Sequence, residues 1–234
     1  MKKAVVLLSG GIDSTTCLAL AVKKYNKENI IALSLYYGQK HDKELKSARD
    51  IANYYDVRII QEDISNIMKY AKNVCTLVKN GDDIQDGTYS EQIKNNSQGR
   101  VNTYVPFRNG LLLSIATSYA DSLFPNEYVN IIYGAHKDDA CNNAYADCSE
   151  DFAKAMDKAI NIGTYGKIKL YRPFIDKNKA EIVKEGIKLN VPYEMTWSCY
   201  KGGENHCGIC ATCIDRKKAF ELNNFKDKTI YEVI

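Results

Sequence analysis

The chain has 234 residues, 45% hydrophobic and 26% charged, which excludes an intrinsically disordered protein. That length buries roughly 70–75% of the unfolded surface, enough for one large domain or one domain with a small appendage. No run of about 20 apolar residues exists to span a membrane, and a formal charge of +3 with a pI near 8.3 is too mild to demand nucleic acid.

The start carries two lysines and the apolar run Ala4 to Leu8. The run is shorter than the roughly 7–15 residues of a signal-peptide core, and no A-x-A site follows. It therefore reads as a strand buried on both faces, and the protein as cytoplasmic. Ser14 to Lys24 has helical spacing, Ile30 to Tyr37 is a second strand, Lys40 to Tyr55 a helix and Val57 to Ile60 a third strand. This β-α-β-α-β rhythm predicts a Rossmann-like, doubly wound parallel α/β sheet. Residues 63–103 are polar and Gly/Asn/Asp-rich, and read as a partly mobile insertion. Beyond them Asn109 to Ser122 reads as an apolar helix and Tyr128 to Tyr133 as a strand. A helix is expected over Asp151 to Ile162, a fifth strand over Lys167 to Tyr171, and helices over Lys177 to Leu189 and Asp215 to Leu222. The predicted division is a nucleotide-binding domain over 1–190 and a small C-terminal zinc-binding subdomain over 191–234.

Strand one runs into Ser9-Gly10-Gly11-Ile12-Asp13-Ser14-Thr15. The glycines permit a tight turn and close ligand approach, and Asp13 or Ser14 is placed to cap the helix. Free N–H groups and the helix dipole then make an anion site. The loop is neither a Walker A nor a G-x-G-x-x-G motif, and the competing reading is an ordinary strand-to-helix turn.

Eight cysteines lie at 17, 75, 141, 148, 199, 207, 210 and 213. Cys199, Cys207, Cys210 and Cys213 crowd together, which in a chain without a signal peptide points to metal or redox chemistry. Four thiolates at this spacing suit one structural Zn²⁺, which would bring the net charge to about +1. His206 is a competing donor. C-x2-C-x2-C also suits an iron–sulfur cluster, although the ferredoxin continuation is missing. Cys17, Cys75, Cys141 and Cys148 read as small buried residues, with Cys148 also considered as a nucleophile.

The Ser-Gly-Gly-Ile-Asp-Ser loop after a first strand resembles the pyrophosphate-binding loop (PP-loop) of the N-type ATP pyrophosphatases, whose fold is that of the adenine nucleotide alpha hydrolases. Trp197-Ser-Cys199-Tyr-Lys-Gly-Gly and His206-Cys-Gly-Ile-Cys-Ala-Thr-Cys213-Ile-Asp-Arg216-Lys-Lys-Ala-Phe220 resemble the C-terminal end of one branch, the 7-cyano-7-deazaguanine synthase (QueC) family. So do Tyr36-Tyr-Gly-Gln39 with His41, Val105-Pro-Phe-Arg108-Asn109, Gly134-Ala-His136-Lys-Asp138-Asp139, and Pro173-Phe174 with Lys177 and Lys179. Tyr145-Ala146-Asp147-Cys148 departs from the family's Tyr-Pro-Asp-Cys at one position. The resemblance runs from Met1 to about Leu222.

It implies a five-stranded sheet and an ATP-dependent ligase that converts 7-carboxy-7-deazaguanine and ammonia to 7-cyano-7-deazaguanine, in queuosine and archaeosine precursor synthesis, through an activated carboxylate and an amide. It also implies a homodimer with small-molecule partners and no nucleic acid or membrane. ATP with Mg²⁺ would be held by Leu8, Ser9, Gly10, Gly11, Ile12, Asp13, Ser14, Thr15, Thr16, Cys17 and Leu18. Asp13, Ser14, Arg108 and Lys177 are the catalytic candidates. Tyr37, Arg108, Asn109, Asp138, Asp139 and Asp147 are the substrate-binding candidates, the carboxylates placed to accept N–H donors from a guanine-like edge. One structural Zn²⁺ per chain is expected on the four clustered cysteines. The alternative is a related ligase or a tRNA thiolase acting on a different acceptor, the thiolase using Cys207 and Cys210 as its cysteine pair.

Overall fold

The computed structural model describes residues 2–94, 101–140 and 145–232, without the side chains of 139 and 140. Five strands form one parallel sheet in the order β3-β2-β1-β4-β5: β1 Lys3–Leu7, β2 Ile30–Tyr36, β3 Arg58–Asp63, β4 Val129–Ile132 and β5 Ile168–Tyr171. The helices are α1 Ile12–Lys24, α2 Lys43–Tyr54, α3 Tyr89–Lys94, α4 Arg108–Leu123, α5 Lys137–Ala140, α6 Glu150–Gly163, α7 Lys179–Lys188 and α8 Ala211–Leu222.

Alternation along each strand divides the core in two. Val5, Ile31, Leu33 and Ile131 face one core with Leu113 and Ala116 of α4 and Ala153 of α6. Ala4, Val6, Ala32 and Ile132 face the other with Leu18 of α1, Ile51 of α2, Ile182 of α7 and Phe220 of α8. Both faces are covered, so the central strands read as continuous apolar runs. At about 25 cal/mol per Å² of apolar surface, each fully buried Leu, Ile or Val contributes roughly 1.5–3 kcal/mol.

The described part of the 63–103 insertion packs side chains into the fold. Ile64, Ala71, Cys75, Leu77, Val78 and Val101 are buried in the first core. Exposed polar residues separate Ile64, Ala71 and the buried run 75–78, and their number hid these anchors in the composition. Residues 95–100 lie outside the described residues, as does Cys141. Among the described residues no helix is long and apolar enough to cross a membrane.

Candidate active site and metal centre

A cavity of about 240 Å³ opens at the C-terminal ends of β1, β2 and β4. Strand order reverses between β1 and β4, the place where open α/β sheets bind ligands. Its floor is the loop from Leu8 to Ser14.

Gly10 adopts φ +86, and a Cβ there would lie 2.5 Å from the Glu44 carbonyl oxygen and 2.7 Å from the Ala48 nitrogen. The loop is therefore pressed against the first turns of α2, an approach only glycine permits. The helix cap differs from expectation. Gly11 is the N-cap of α1, in an extended conformation and without a side-chain bond. Asp13 and Ser14 already lie inside the helix. Ser14 Oγ accepts from the Ser9 N–H at 3.2 Å and donates to the Gly11 carbonyl at 3.2 Å. The absent side-chain cap leaves the first N–H groups of α1 directed at the cavity floor.

Of the eleven residues expected to hold nucleotide, Leu8, Ser9, Gly11, Ile12, Asp13 and Ser14 line the cavity. Thr15, Thr16, Cys17 and Leu18 are turned inward: Thr15 Oγ1 donates to the Gly11 carbonyl at 2.7 Å, Thr16 Oγ1 donates to Ile12 O at 2.8 Å, and Cys17 and Leu18 are buried in the second core.

Asp13 Oδ2 accepts from the Lys179 ammonium at 2.6 Å and lies 3.7 Å from His136 Nε2. Burial, the largest single influence, would push this carboxyl up; the charge and hydrogen bond of Lys179 together with the nearby His136 outweigh it and hold Asp13 below its ordinary value. Its other oxygen, Oδ1, is buried and makes no hydrogen bond to the described residues. Lys179 reaches this position because Asn178 and Glu181 form a reciprocal capping box that starts α7 at Lys179. Asp138 accepts from the Lys179 N–H at 2.8 Å and the Lys137 N–H donates to Lys177 O at 2.9 Å, clipping the loop after β4 to the helix start. Lys177 precedes the helix and does not line the cavity, whereas Lys179 does.

Arg108, Asn109 and Tyr37 form the opposite wall. Arg108 donates to the Tyr37 hydroxyl at 3.2 Å and sits 5.4 Å from that ring's centre. Burial pushes the Tyr37 hydroxyl up to about 12, the adjacent guanidinium pulling the other way. Asp147 takes a different part. Its Oδ2 accepts from the Asn109 N–H at 2.8 Å, capping α4, and its carboxylate does not line the cavity. Asp138 is likewise committed to α7, and the Asp139 side chain lies outside the described residues. Ala146 is exposed, and residues 146–148 still form a single 3₁₀ turn without the proline.

Several lining residues are not among the candidates named from the sequence, although Gln39, Trp197, Ser198 and Tyr200 fall inside the resembling motifs. Glu44 and Gln39 come from α2 and the loop before it; Tyr89 comes from the insertion; Trp197, Ser198 and Tyr200 come from the metal loop. Ser34 and Tyr133 also line the cavity, and their hydroxyl oxygens are buried without a hydrogen-bond partner among the described residues. With Asp13 Oδ1 they make three buried polar atoms without a partner on residues that line one cavity, as a site for a polar ligand would leave them.

Beside this cavity the sulfurs of Cys199, Cys207, Cys210 and Cys213 all lie within 4.8 Å of one another, and all four residues are buried. A tetrahedral ion with bonds of about 2.3 Å needs sulfurs roughly 3.8 Å apart, so the set fits one ion after small adjustment. N–H groups of Cys207 and Cys210 donate to Cys199 Sγ and Cys207 Sγ, each at 3.4 Å, as thiolate acceptors favour. His206 is excluded as a ligand: its Nε2 accepts from the Ser198 N–H at 3.0 Å and its ring packs 4.3 Å from Trp197. The Trp197 N–H donates to Gly10 O at 2.9 Å, joining the metal loop to the phosphate loop. The insertion closes over the same cluster through an Asp86–Cys210 bridge and a bond from the Gly87 N–H to Ile209 O at 3.1 Å.

The family model described as queuosine biosynthesis protein QueC matches residues 3–224. A protein of Thermoplasma volcanium named 7-cyano-7-deazaguanine synthase is 42% identical, with 98% of this chain and 91% of that one covered. One of the same name from Archaeoglobus fulgidus is 40% identical over 96% of this chain and 88% of its own. Colwellia psychrerythraea has a 7-cyano-7-deazaguanine synthase 2 that is 37% identical over the whole of both chains. A match of this extent, on a chain whose phosphate loop, arginine wall and cysteine cluster meet at one cavity, places it: the chain belongs to the queuosine biosynthesis protein QueC family.

Proposed function

We propose that this chain is an ATP-dependent carbon–nitrogen ligase that makes 7-cyano-7-deazaguanine from 7-carboxy-7-deazaguanine and ammonia. The observation that carries the reading is the convergence on one cavity of an uncapped helix N-terminus, the Asp13–Lys179 pair and Arg108. A carboxylate is a poor electrophile and must be activated before an amine attacks it. The first-turn N–H groups of Ile12, Asp13 and Ser14 and the Lys179 ammonium would receive the phosphates of ATP. Asp13 Oδ1 would hold Mg²⁺, which when bound offsets phosphate charge. Arg108 faces this loop across the cavity and would hold the substrate carboxylate by paired N–H donors. Ammonia gives an amide, and a second activation, of the amide oxygen, leaves the nitrile. Tyr37 and Asn109 would contact the deazaguanine.

The four-cysteine cluster would hold one Zn²⁺ in a closed structural site. All four thiols are buried and none lines the cavity, which argues against the thiolase alternative, since Cys207 and Cys210 are not placed to meet a substrate. We assign residues 1–190 to the nucleotide domain and 191–234 to the metal-binding subdomain, in a cytoplasmic homodimer acting on small molecules. The test is mass spectrometry of products from purified protein with ATP, Mg²⁺, ammonium and 7-carboxy-7-deazaguanine, each omitted in turn. Nitrile that requires all of them supports the assignment; ATP turnover without nitrile points to a different acceptor and refutes it.

A further inference from the structure

Among the described residues the proposed function leaves two carboxyl groups of the cavity without a task, Asp215 on α8 and Glu44. Glu44 rises from the first turn of α2, whose backbone is packed against Gly10, and so stands beside the phosphate loop. It lines the cavity together with Arg108, Tyr37 and Gln39, and Gln39 hydrogen-bonds its side chain. The carboxylate of Asp13 is already neutralised by Lys179 at 2.6 Å. Neither Asp138 nor Asp147 lines the cavity.

The amidation has a need that Asp13, Asp138 and Asp147 do not meet, and Glu44, whose backbone packs against Gly10, stands at the phosphate loop, whereas Asp215 stands beside Arg216 on α8. The nitrogen of the amidation arrives largely as ammonium, a cation without a lone pair, and must lose a proton inside the site before it can attack. We infer that Glu44 binds the ammonium ion in this cavity and is the base that deprotonates it, an inference that rests on the amidation reading above. The carboxylate takes one proton, giving ammonia and a neutral Glu44. The nitrogen lone pair forms the C–N bond to the activated carbonyl carbon. The C–O bond to the phosphoryl group then breaks, and the adduct's surplus proton leaves on the departing phosphate. Glu44 returns its proton to solvent through the cavity mouth.

The electrostatics suit this task. Burial pushes Glu44 up while Arg108 and the Gln39 hydrogen bond pull it down, leaving it at about 7. A base matched to neutral pH is most effective when it is both ionised and able to accept a proton.

The test compares two nucleophiles in wild type and Glu44→Gln. Hydroxylamine is largely unprotonated at neutral pH and needs no base to free its lone pair. With ATP and 7-carboxy-7-deazaguanine it would trap the activated carboxylate as a hydroxamate. The expected result is that kcat/KM for ammonium, divided by that for hydroxylamine, falls by about 100-fold or more, in protein with wild-type metal content and melting temperature. An equal fall with both nucleophiles makes Glu44 a structural or substrate-reading residue and overturns the inference; so does no fall. Wild-type protein that yields neither nitrile nor hydroxamate overturns the amidation reading and this inference with it. Should E44Q melt early, Glu44→Asp keeps a base one methylene further back and lowers the same ratio by a smaller factor; an unchanged ratio refutes the role.

Discussion

Arg216 is fully buried on α8 and makes five hydrogen bonds. Nε and Nη2 bind both oxygens of Asp227, at 2.8 and 3.1 Å; the remaining bonds go to Thr196 Oγ1, Ser198 Oγ and Tyr193 O. It thus ties α8 to the segment that leads into the metal loop. Replacing it by methionine keeps much of the volume but leaves the Asp227 carboxylate, about 10% exposed, without its counter-ion. Breaking one side of a buried pair costs about 3–5 kcal/mol. For a chain of this size each kcal/mol lowers the melting point by about 2–4 °C, so Arg216→Met should melt roughly 6–20 °C below wild type. The assay is thermal unfolding at fixed metal concentration, completed by Asp227→Asn and the double variant. Because most of the cost is the stranded carboxylate, the double variant should recover at least about 1.5 kcal/mol relative to the sum of the singles. A loss below about 1 kcal/mol for Arg216→Met, or strict additivity, refutes the reasoning.

Gly10→Ala forces a Cβ to within 2.5 Å of Glu44 O at φ +86; strain and the displaced α2 turn should weaken binding of a non-hydrolysable ATP analogue by roughly tenfold or more, read by calorimetry. Gly163→Ala, where a Cβ meets nothing within 4 Å, is the control that should leave binding unchanged. Burial pushes Asp227 up, but the Arg216 bonds more than offset it and bring the carboxyl to about 2 from an ordinary 3.8. The folded value is depressed, so this stabilisation, about 2–3 kcal/mol, is complete above pH about 4 and is lost as the pH falls toward 2; Asp227→Asn should flatten the acid dependence of urea unfolding in that window, and an unchanged slope contradicts it. Metal removal by a chelator should lower the melting temperature and weaken nucleotide binding together, since the Trp197 N–H bonds the phosphate loop at Gly10 O; loss of stability without loss of binding would show the two sites to be uncoupled.

The elements could be read from the sequence because parallel strands covered on both faces are short apolar runs between amphipathic helices. The phosphate loop and cysteine cluster could be read because each is local: a few adjacent residues carry the whole pattern. Glu44 could not, since its place depends on α2 lying against Gly10, a contact visible only as a glycine without a stated neighbour. Lys179 was distinguished from Lys177 by a helix start two residues later than its apolar periodicity suggests, set by the Asn178 capping box. The bond of Asp147 to the Asn109 N–H joins residues 38 apart, a pairing that no local pattern announces. Ser34 and Tyr133 carry no motif; only the cavity singles them out.

In the proposed reaction a carboxylate oxygen becomes bonded to phosphorus in this cavity. This step is tested most directly with 7-carboxy-7-deazaguanine labelled with ¹⁸O in the carboxyl group, in the presence of ATP, Mg²⁺ and [¹⁵N]ammonium. The expected result is ¹⁸O in the phosphate-bearing product and one ¹⁵N in the nitrile. Nitrile formed without ¹⁸O transfer, or ATP cleaved with the label left wholly in unreacted acid, would contradict it.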